Sequence, residues 1–401
     1  MSNGQRVLRR GPGPGVGIRG AWRLGKIAGI EIGIHYTWLF AFVLITWSLA
    51  AGFFPQNFPD WSTTAYWITG IGASILLFIS VLAHELAHSI VGRRRGMEIN
   101  SITLFIFGGA SNLESEPEEP WDEFTMTIVG PITSVIIAVI AWLLYQAIPN
   151  QSSPVAATMF YIAIINGLLA GFNLLPGFPL DGGRVLRSVL WKTTGNLKQA
   201  TNIAATVGQV FGFILIALGI LQFLAGNFLG GLWISFIGWF LNGAAESSRG
   251  EANLREHLRG VTVDEIVDTT PETIAPDTSV DDLVRMHFVQ NGHRSALVVE
   301  NDQLKGIVTL TDVRKLPQKD WRETRVEEIM TRTPLQTVRS DEDLAKALKM
   351  LARNKLKQVP VMDNGSLKGL LTTGDIIRYL QVSQELQLAG SEEKAGAEEH
   401  S

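Results

Sequence analysis

The chain has 401 residues, 46% of them hydrophobic and only 18% charged, with a net charge of -4 and no cysteine. That balance suits a membrane protein of two or three domains and gives no reason to expect nucleic acid as a partner. Without thiols, disulfides and thiolate metal sites are excluded, so any metal must rest on His, Asp or Glu.

Residues 1–32 are rich in Gly and Arg, including Arg6, Arg9, Arg10, Arg19, Arg23 and Lys26. No period persists there, which predicts a flexible basic leader. No small-residue cleavage pattern follows a short apolar core, which predicts a retained first span rather than a signal peptide. Six apolar segments follow, at about 34–53, 65–91, 124–148, 155–175, 201–224 and 229–245, each near the ~20 residues of a bilayer-crossing helix. The last two come from one run, 199–245, without Asp, Glu, Lys or Arg. As a single helix it would be about 70 Å long, so it must break, most simply at Ala225-Gly226-Asn227.

Lysine and arginine fall in the leader, after the second segment (Arg93, Arg94, Arg95) and after the fourth (Arg184, Arg187, Lys192, Lys198), and are missing from the alternate connections. The alternation supports six crossings, with the N-terminus and everything after Glu246 in the cytosol, in a cell membrane. The expected fold class is therefore an α-helical membrane protein of about six transmembrane helices with a short β or re-entrant hairpin, followed by a soluble α/β domain.

The second apolar segment carries His84-Glu85-Leu86-Ala87-His88. In a helix His84 and His88 share one face, with Glu85 one position round, an arrangement that binds zinc and holds a base beside a metal-activated water. The plain alternative is three polar residues on a soluble helix. Residues 65–80 hold no ionisable side chain except Tyr66, and ionisable groups in a membrane helix are read as functional by default. His88 is five residues before Arg93, which places the site within ~10 Å of the cytosolic helix end.

Residues 101–112, with Gly108-Gly109, are too short to cross and predict a strand pair or re-entrant loop. Either it is an interfacial hairpin that only packs, or it offers an edge strand near the metal on which an extended substrate could pair. The acidic run 114–123 reads as a solvated loop. The fourth segment ends in Asn173-Leu-Leu-Pro176-Gly-Phe-Pro179-Leu-Asp181-Gly182-Gly183, whose prolines and glycines stop the helix. Asp181 then lies at a depth similar to that of His84 and His88. Two histidines and one carboxylate would hold zinc and leave a fourth position for water. A plain membrane-exit turn is the alternative. His35, near the start of the first segment, reads as a capping or interfacial residue, with a place at the site as the other option.

These motifs resemble those of the site-2 proteases, intramembrane zinc metalloproteases. His84-Glu85-Leu86-Ala87-His88 is similar to their HExxH helix, and 173–182 to their Asn-Leu-Leu-Pro run ending in Leu-Asp-Gly. Gly130-Pro131 and Phe107-Gly108-Gly109 also look like family features. The resemblance covers residues 30–245, and no PDZ insertion is apparent. It implies regulated cleavage of a membrane-spanning protein in or near its transmembrane segment. It also implies one zinc per chain on His84, His88 and Asp181, with Glu85 as general base and Asn173 positioning substrate or stabilising the oxyanion. A helical peptide bond is shielded, so cleavage sites should contain helix-weakening residues.

After Gly260 the sequence repeats with an offset of 63: Val263-Asp-Glu-Ile266 as Val326-Glu-Glu-Ile329, and Gly306-Ile-Val-Thr309-Leu-Thr-Asp312 as Gly369-Leu-Leu-Thr372-Thr-Gly-Asp375. Two small α/β units are implied, and they resemble CBS domains. That resemblance implies an adenine-nucleotide site with Thr309, Asp312, Thr372 and Asp375 as contacts, or a module that pairs two chains into a homodimer. Helix capping alone also explains these Thr and Asp residues. The expected organisation is a leader (1–32), a six-span metalloprotease domain (33–247), a linker (248–260), CBS domains at 261–320 and 321–385, and a disordered acidic tail (386–401). The competing functions are a CBS-gated transporter or channel, and a proteolytically inactive membrane chaperone.

Overall fold

The structure, a computed structural model, describes residues 21–106, 108–113, 117–258, 260–301, 303–363, 365–383 and 385. Residues 1–20 of the leader, Phe107, residues 114–116 and the tail 386–401 lie outside them. The chain divides into two compact units between Ala252 and Asn253.

In the first unit, β1 (Ala21–Ile27) and β2 (Ile30–His35) form a hairpin where the sequence predicts a flexible leader. The reason is Ile30, Ile32 and Ile34, an alternation of only three residues, too short to stand out until β2 finds a neighbour. That neighbour is β3 (Ile99–Phe105), which pairs parallel to β2 and antiparallel to β4 (Gly108–Leu113). The sheet order is β1-β2-β3-β4, so among the described residues β4 is an edge. The expected strand pair at 101–112 is therefore present, as half of a larger sheet. Ile30, Ile32 and Ile102 pack the sheet onto Leu82, Leu86 and Ile90 of a long helix, residues spaced at one face of a 3.6-residue period.

The helices are α1 (Tyr36–Ser48), a π-helical stretch Leu49–Phe53, α2 (Phe54–Asn57), α3 (Thr63–Arg94), α4 (Pro120–Ala147), α5 (Pro154–Asn173), α6 (Asp181–Thr194), α7 (Leu197–Leu224) and α8 (Phe228–Leu258). The first three are continuous, and with α3, α4, α5, α7 and α8 they make six helices long and apolar enough to cross a membrane. Their starts are written locally: Ser62, Ser153 and Asn196 each cap a helix with a side-chain oxygen, and Pro120 and Pro154 occupy first-turn positions. Outward faces are apolar, as with Ile68, Ile71, Ile75 and Ile79 on α3, which suits hydrocarbon as the solvent. Inside, small residues let backbones approach. A Cβ at Gly212 or Gly219 of α7 would collide with the Gly238 or Gly231 carbonyl of α8, and the reverse holds too. Helix α8 runs on to Leu258, so the stretch expected as a linker is helical there.

The second unit holds β5 (Thr273–Ile274), α9 (Val280–Asp282), a π-helix Leu283–Gln290, β6 (Ser295–Glu300), β7 (Gln303–Thr309), α10 (Leu310–Val313), α11 (Val326–Ile329), β8 (Thr331–Arg332), β9 (Val338–Arg339), α12 (Leu344–Arg353), β10 (Gln358–Asp363) and β11 (Ser366–Thr372). They form two sheets, β5-β6-β7-β8 and β11-β10-β9, the first completed by β8 from the second repeat. The repeats exchange their leading segments. Leu258, Val261 and Val263 pack with Val338, Leu344 and Val361 of the second repeat, whereas Trp321 and Val326 pack with Val280, Leu283 and Val298 of the first.

The 63-residue offset is not uniform. Caps Ser279 and Asp343 and buried residues Ile274 and Val338 differ by 64, while Phe288 and Leu351, or the left-handed Gly292 and Lys355, differ by 63. The first repeat thus has one extra residue inside its helix, and it is taken up as π-helix where the second repeat keeps regular α12.

Candidate metal centre

Helix α3 places His84 and His88 one turn apart with their Nε2 atoms 3.1 Å from each other. Asp181 Oδ2 lies 3.1 Å from His84 Nε2 and 3.2 Å from His88 Nε2. The sequence motif and the broken helix end, 93 residues apart from His88 to Asp181, therefore converge on one point. His84 is buried and the other two are partly buried.

The opposite edges of both rings are held by α4. His88 Nδ1 donates to the Met126 carbonyl at 2.8 Å, and His84 Nδ1 bonds the Ser134 hydroxyl at 2.9 Å. A neutral His88 whose Nδ1 carries the proton presents a lone pair, not a hydrogen, from Nε2. Such lone pairs crowded against a carboxylate oxygen call for a proton or a metal cation among them. Donor types, count and convergence all fit a divalent metal with nitrogen and oxygen ligands.

Two glycines make the room. A Cβ at Gly130 of α4 would overlap both imidazoles, and one at Gly109 of β4 would overlap Glu85 Cγ and Cδ. Glu85 is thus flanked by β4, and Gly130 and Gly109, one from each glycine-containing pair marked in the sequence, acquire a steric reason. The loop 174–180 is likewise packed close: Phe178 N donates to the Ala204 carbonyl of α7, and a Cβ at Gly208 would strike the Phe178 carbonyl. Asn173 is the last residue of α5, just ahead of this loop. His35 caps α1, its Nδ1 accepting from the Thr37 amide, which is the capping role anticipated for it.

Three residues escaped the sequence reading. Met126 and Ser134 orient the histidines, and Ser134 could have been noticed as a hydroxyl on an apolar helix. Glu123 lies in the acidic run expected to be a solvated loop, yet it is fully buried in the first turn of α4. Two arginines of α6 neutralise it: Arg187 by a forked pair and Arg184 at 3.8 Å.

In the second unit, Thr309 donates through its amide and hydroxyl to Asp312 Oδ2 at 3.1 and 2.7 Å, and Thr372 does the same to Asp375 Oδ2 at 3.0 and 2.6 Å. Each pair caps a helix start, so the capping arrangement is present in both repeats. The repeats meet at equivalent positions, Ser295 Oγ donating to Gln358 Oε1 at 2.8 Å.

The model of peptidase family M50 matches residues 72–152 and 147–217, and that of the CBS domain matches 263–319 and 326–382. The chain is 33% identical to Rip3 of Mycobacterium tuberculosis over 370 residues, 91% of this chain and 94% of that one. It is 30% identical to zinc metalloprotease MJ0392 of Methanocaldococcus jannaschii over 369 residues, 91% of this chain and 98% of that one. A solved site-2 protease from the same organism is similar at 30% identity and a TM-score of 0.39, covering 57% of this chain and 95% of that one. With the converging triad, the six apolar helices and the duplicated second unit, the chain belongs to the M50 peptidases, the site-2 protease family, fused to a tandem CBS pair.

Proposed function

We propose that the chain is a zinc endopeptidase that hydrolyses a peptide bond in or near the transmembrane segment of a membrane protein, in regulated signalling. The observation that carries the reading is the meeting of His84 Nε2, His88 Nε2 and Asp181 Oδ2 within 3.2 Å. These three side chains would hold the ion, which when bound acidifies a water and polarises the scissile carbonyl. Glu85, adjacent on α3, takes the proton from the attacking water and later delivers it to the leaving amine. Asn173 positions the substrate or steadies the oxyanion. Edge strand β4, whose Gly109 backbone lies against Glu85, offers main-chain groups on which a locally unwound substrate can pair. Because a helical peptide bond is shielded, preferred sites contain helix-weakening residues.

The charge alternation supports a multi-pass chain with its N-terminus and CBS pair in the cytosol. For that pair we propose an adenine nucleotide near Thr309, Asp312, Thr372 and Asp375. The two closed caps favour a second reading, pairing of two chains without a nucleotide. Calorimetry of the full chain with AMP, ADP and ATP separates them, since silence across the panel leaves only pairing.

The central test is metal analysis of the purified protein beside cleavage of a model membrane substrate. Glu85→Gln should retain zinc and lose ~10²–10⁴-fold in rate. Turnover at the wild-type rate would remove Glu85 from its role.

A further inference from the structure

The triad is assembled from two helices, His84 and His88 on α3 and Asp181 at the start of α6. Helix α4 is the common reference. Its residues Glu123, Met126, Gly130 and Ser134 fall on one buried face, spaced three to four residues apart. Met126 and Ser134 fix the rings of His88 and His84, and Gly130 leaves space for both. The remaining member of the face, Glu123, reaches the other helix.

Glu123 accepts from Arg187 Nε at 2.9 and 3.0 Å and also from Arg187 Nη2. Arg187 lies two turns into α6, the helix that begins at Asp181, and its guanidinium stands 5.1 Å from the centre of the Phe178 ring. One planar fork therefore grips α4, α6 and the loop before Asp181 together. A buried ion pair of this kind contributes little net stability, because desolvation cancels most of the attraction. Its forked geometry does fix the register of the two elements it joins.

We propose that Glu123 and Arg187 are a positioning pair that sets where Asp181 meets His84 and His88, and so governs the affinity and geometry of the metal centre. The proposal rests on the zinc reading above. Among the described residues the hydrogen bonds of Glu123 and Arg187 run to each other and not to the three donors, so the pair acts through the placement of α6.

The test uses the full chain in detergent, loaded with cobalt(II), and reads the cobalt dissociation constant, the visible d–d spectrum and the thermal midpoint of the metal-free protein. Glu123→Gln removes the buried charge, Arg187→Lys keeps the charge but not the fork, and the double change Glu123→Leu with Arg187→Met removes the charges of both partners and leaves the more exposed Arg184 to solvent. Each single variant should bind cobalt about 10–100-fold more weakly, the usual loss when support behind metal ligands is removed, with a shifted spectrum. The double variant should recover the wild-type midpoint and keep the weakened affinity and altered spectrum. Should the double variant regain wild-type affinity and spectrum, the pair serves only to neutralise charge and the proposal falls. It falls too if Glu123→Gln leaves both readouts unchanged. A wild-type chain that takes up no cobalt would overturn the metal-centre reading itself, which is a different failure from wild-type uptake with unaltered variants.

Discussion

The metal centre and the CBS pair use the same kinds of polar residue in opposite ways. In the membrane unit each side chain of the candidate centre is held from behind: His84 by Ser134, His88 by Met126, and the Asp181 helix by Glu123 through Arg187. His84 Nε2, His88 Nε2 and Asp181 Oδ2 are thereby aimed at one another. In the second unit Thr309 and Asp312, like Thr372 and Asp375, close on each other and complete a helix cap. The two arrangements differ in which atoms are left facing a common point.

That contrast predicts a graded series. Gly130→Ala should be the most damaging, since a methyl group there overlaps both imidazoles; metal analysis should find no zinc, and cleavage should be lost. Retention of zinc by that variant would show that α4 can move away and that its clearance is not limiting. Gly109→Ala should keep zinc and lose most cleavage, because it displaces Glu85 rather than a ligand; zinc content measured beside kcat separates the two glycines. Ser134→Ala should weaken zinc ~10–100-fold by freeing the His84 ring, a change that competition with a calibrated chelator resolves. The smallest effect belongs to the other unit: Thr372→Ala should cost ~1 kcal/mol as a lost cap, read as a lower thermal midpoint for the second unit with cleavage unchanged. A larger fall in nucleotide affinity than in stability would move Thr372 from cap to ligand.

Much of the centre was legible because its parts are local. The two histidines are one turn apart, and the prolines and glycines around Asp181 announce a broken helix. Six spans followed from hydropathy and charge alternation. Other features depend on partners remote in sequence. Glu123 sits in an acidic run, and nothing nearby signals that Arg187, 64 residues on, will meet it in the interior. The strands at 21–35 take their order from β3 rather than from their own composition. Gly130 and Gly109 could be marked as notable, but the reason lies in imidazole and carboxylate groups that only the fold brings near. The one-residue insertion in the first CBS helix was hidden because a compensating residue between Ile329 and Val338 of the second repeat restores the overall offset.

The exchange of leading segments between the repeats bears on what the unit of cooperativity is. Trp321 and Val326 complete the interior of the first repeat, and Leu258, Val261 and Val263 that of the second. A cut at residue 320, where the repeat in the sequence suggests a border, would open a greasy slot in the first repeat and strip the lead from the second. Neither half is self-sufficient, so the pair should melt as one body. A solitary repeat could close its slot only by borrowing the missing segment from another molecule.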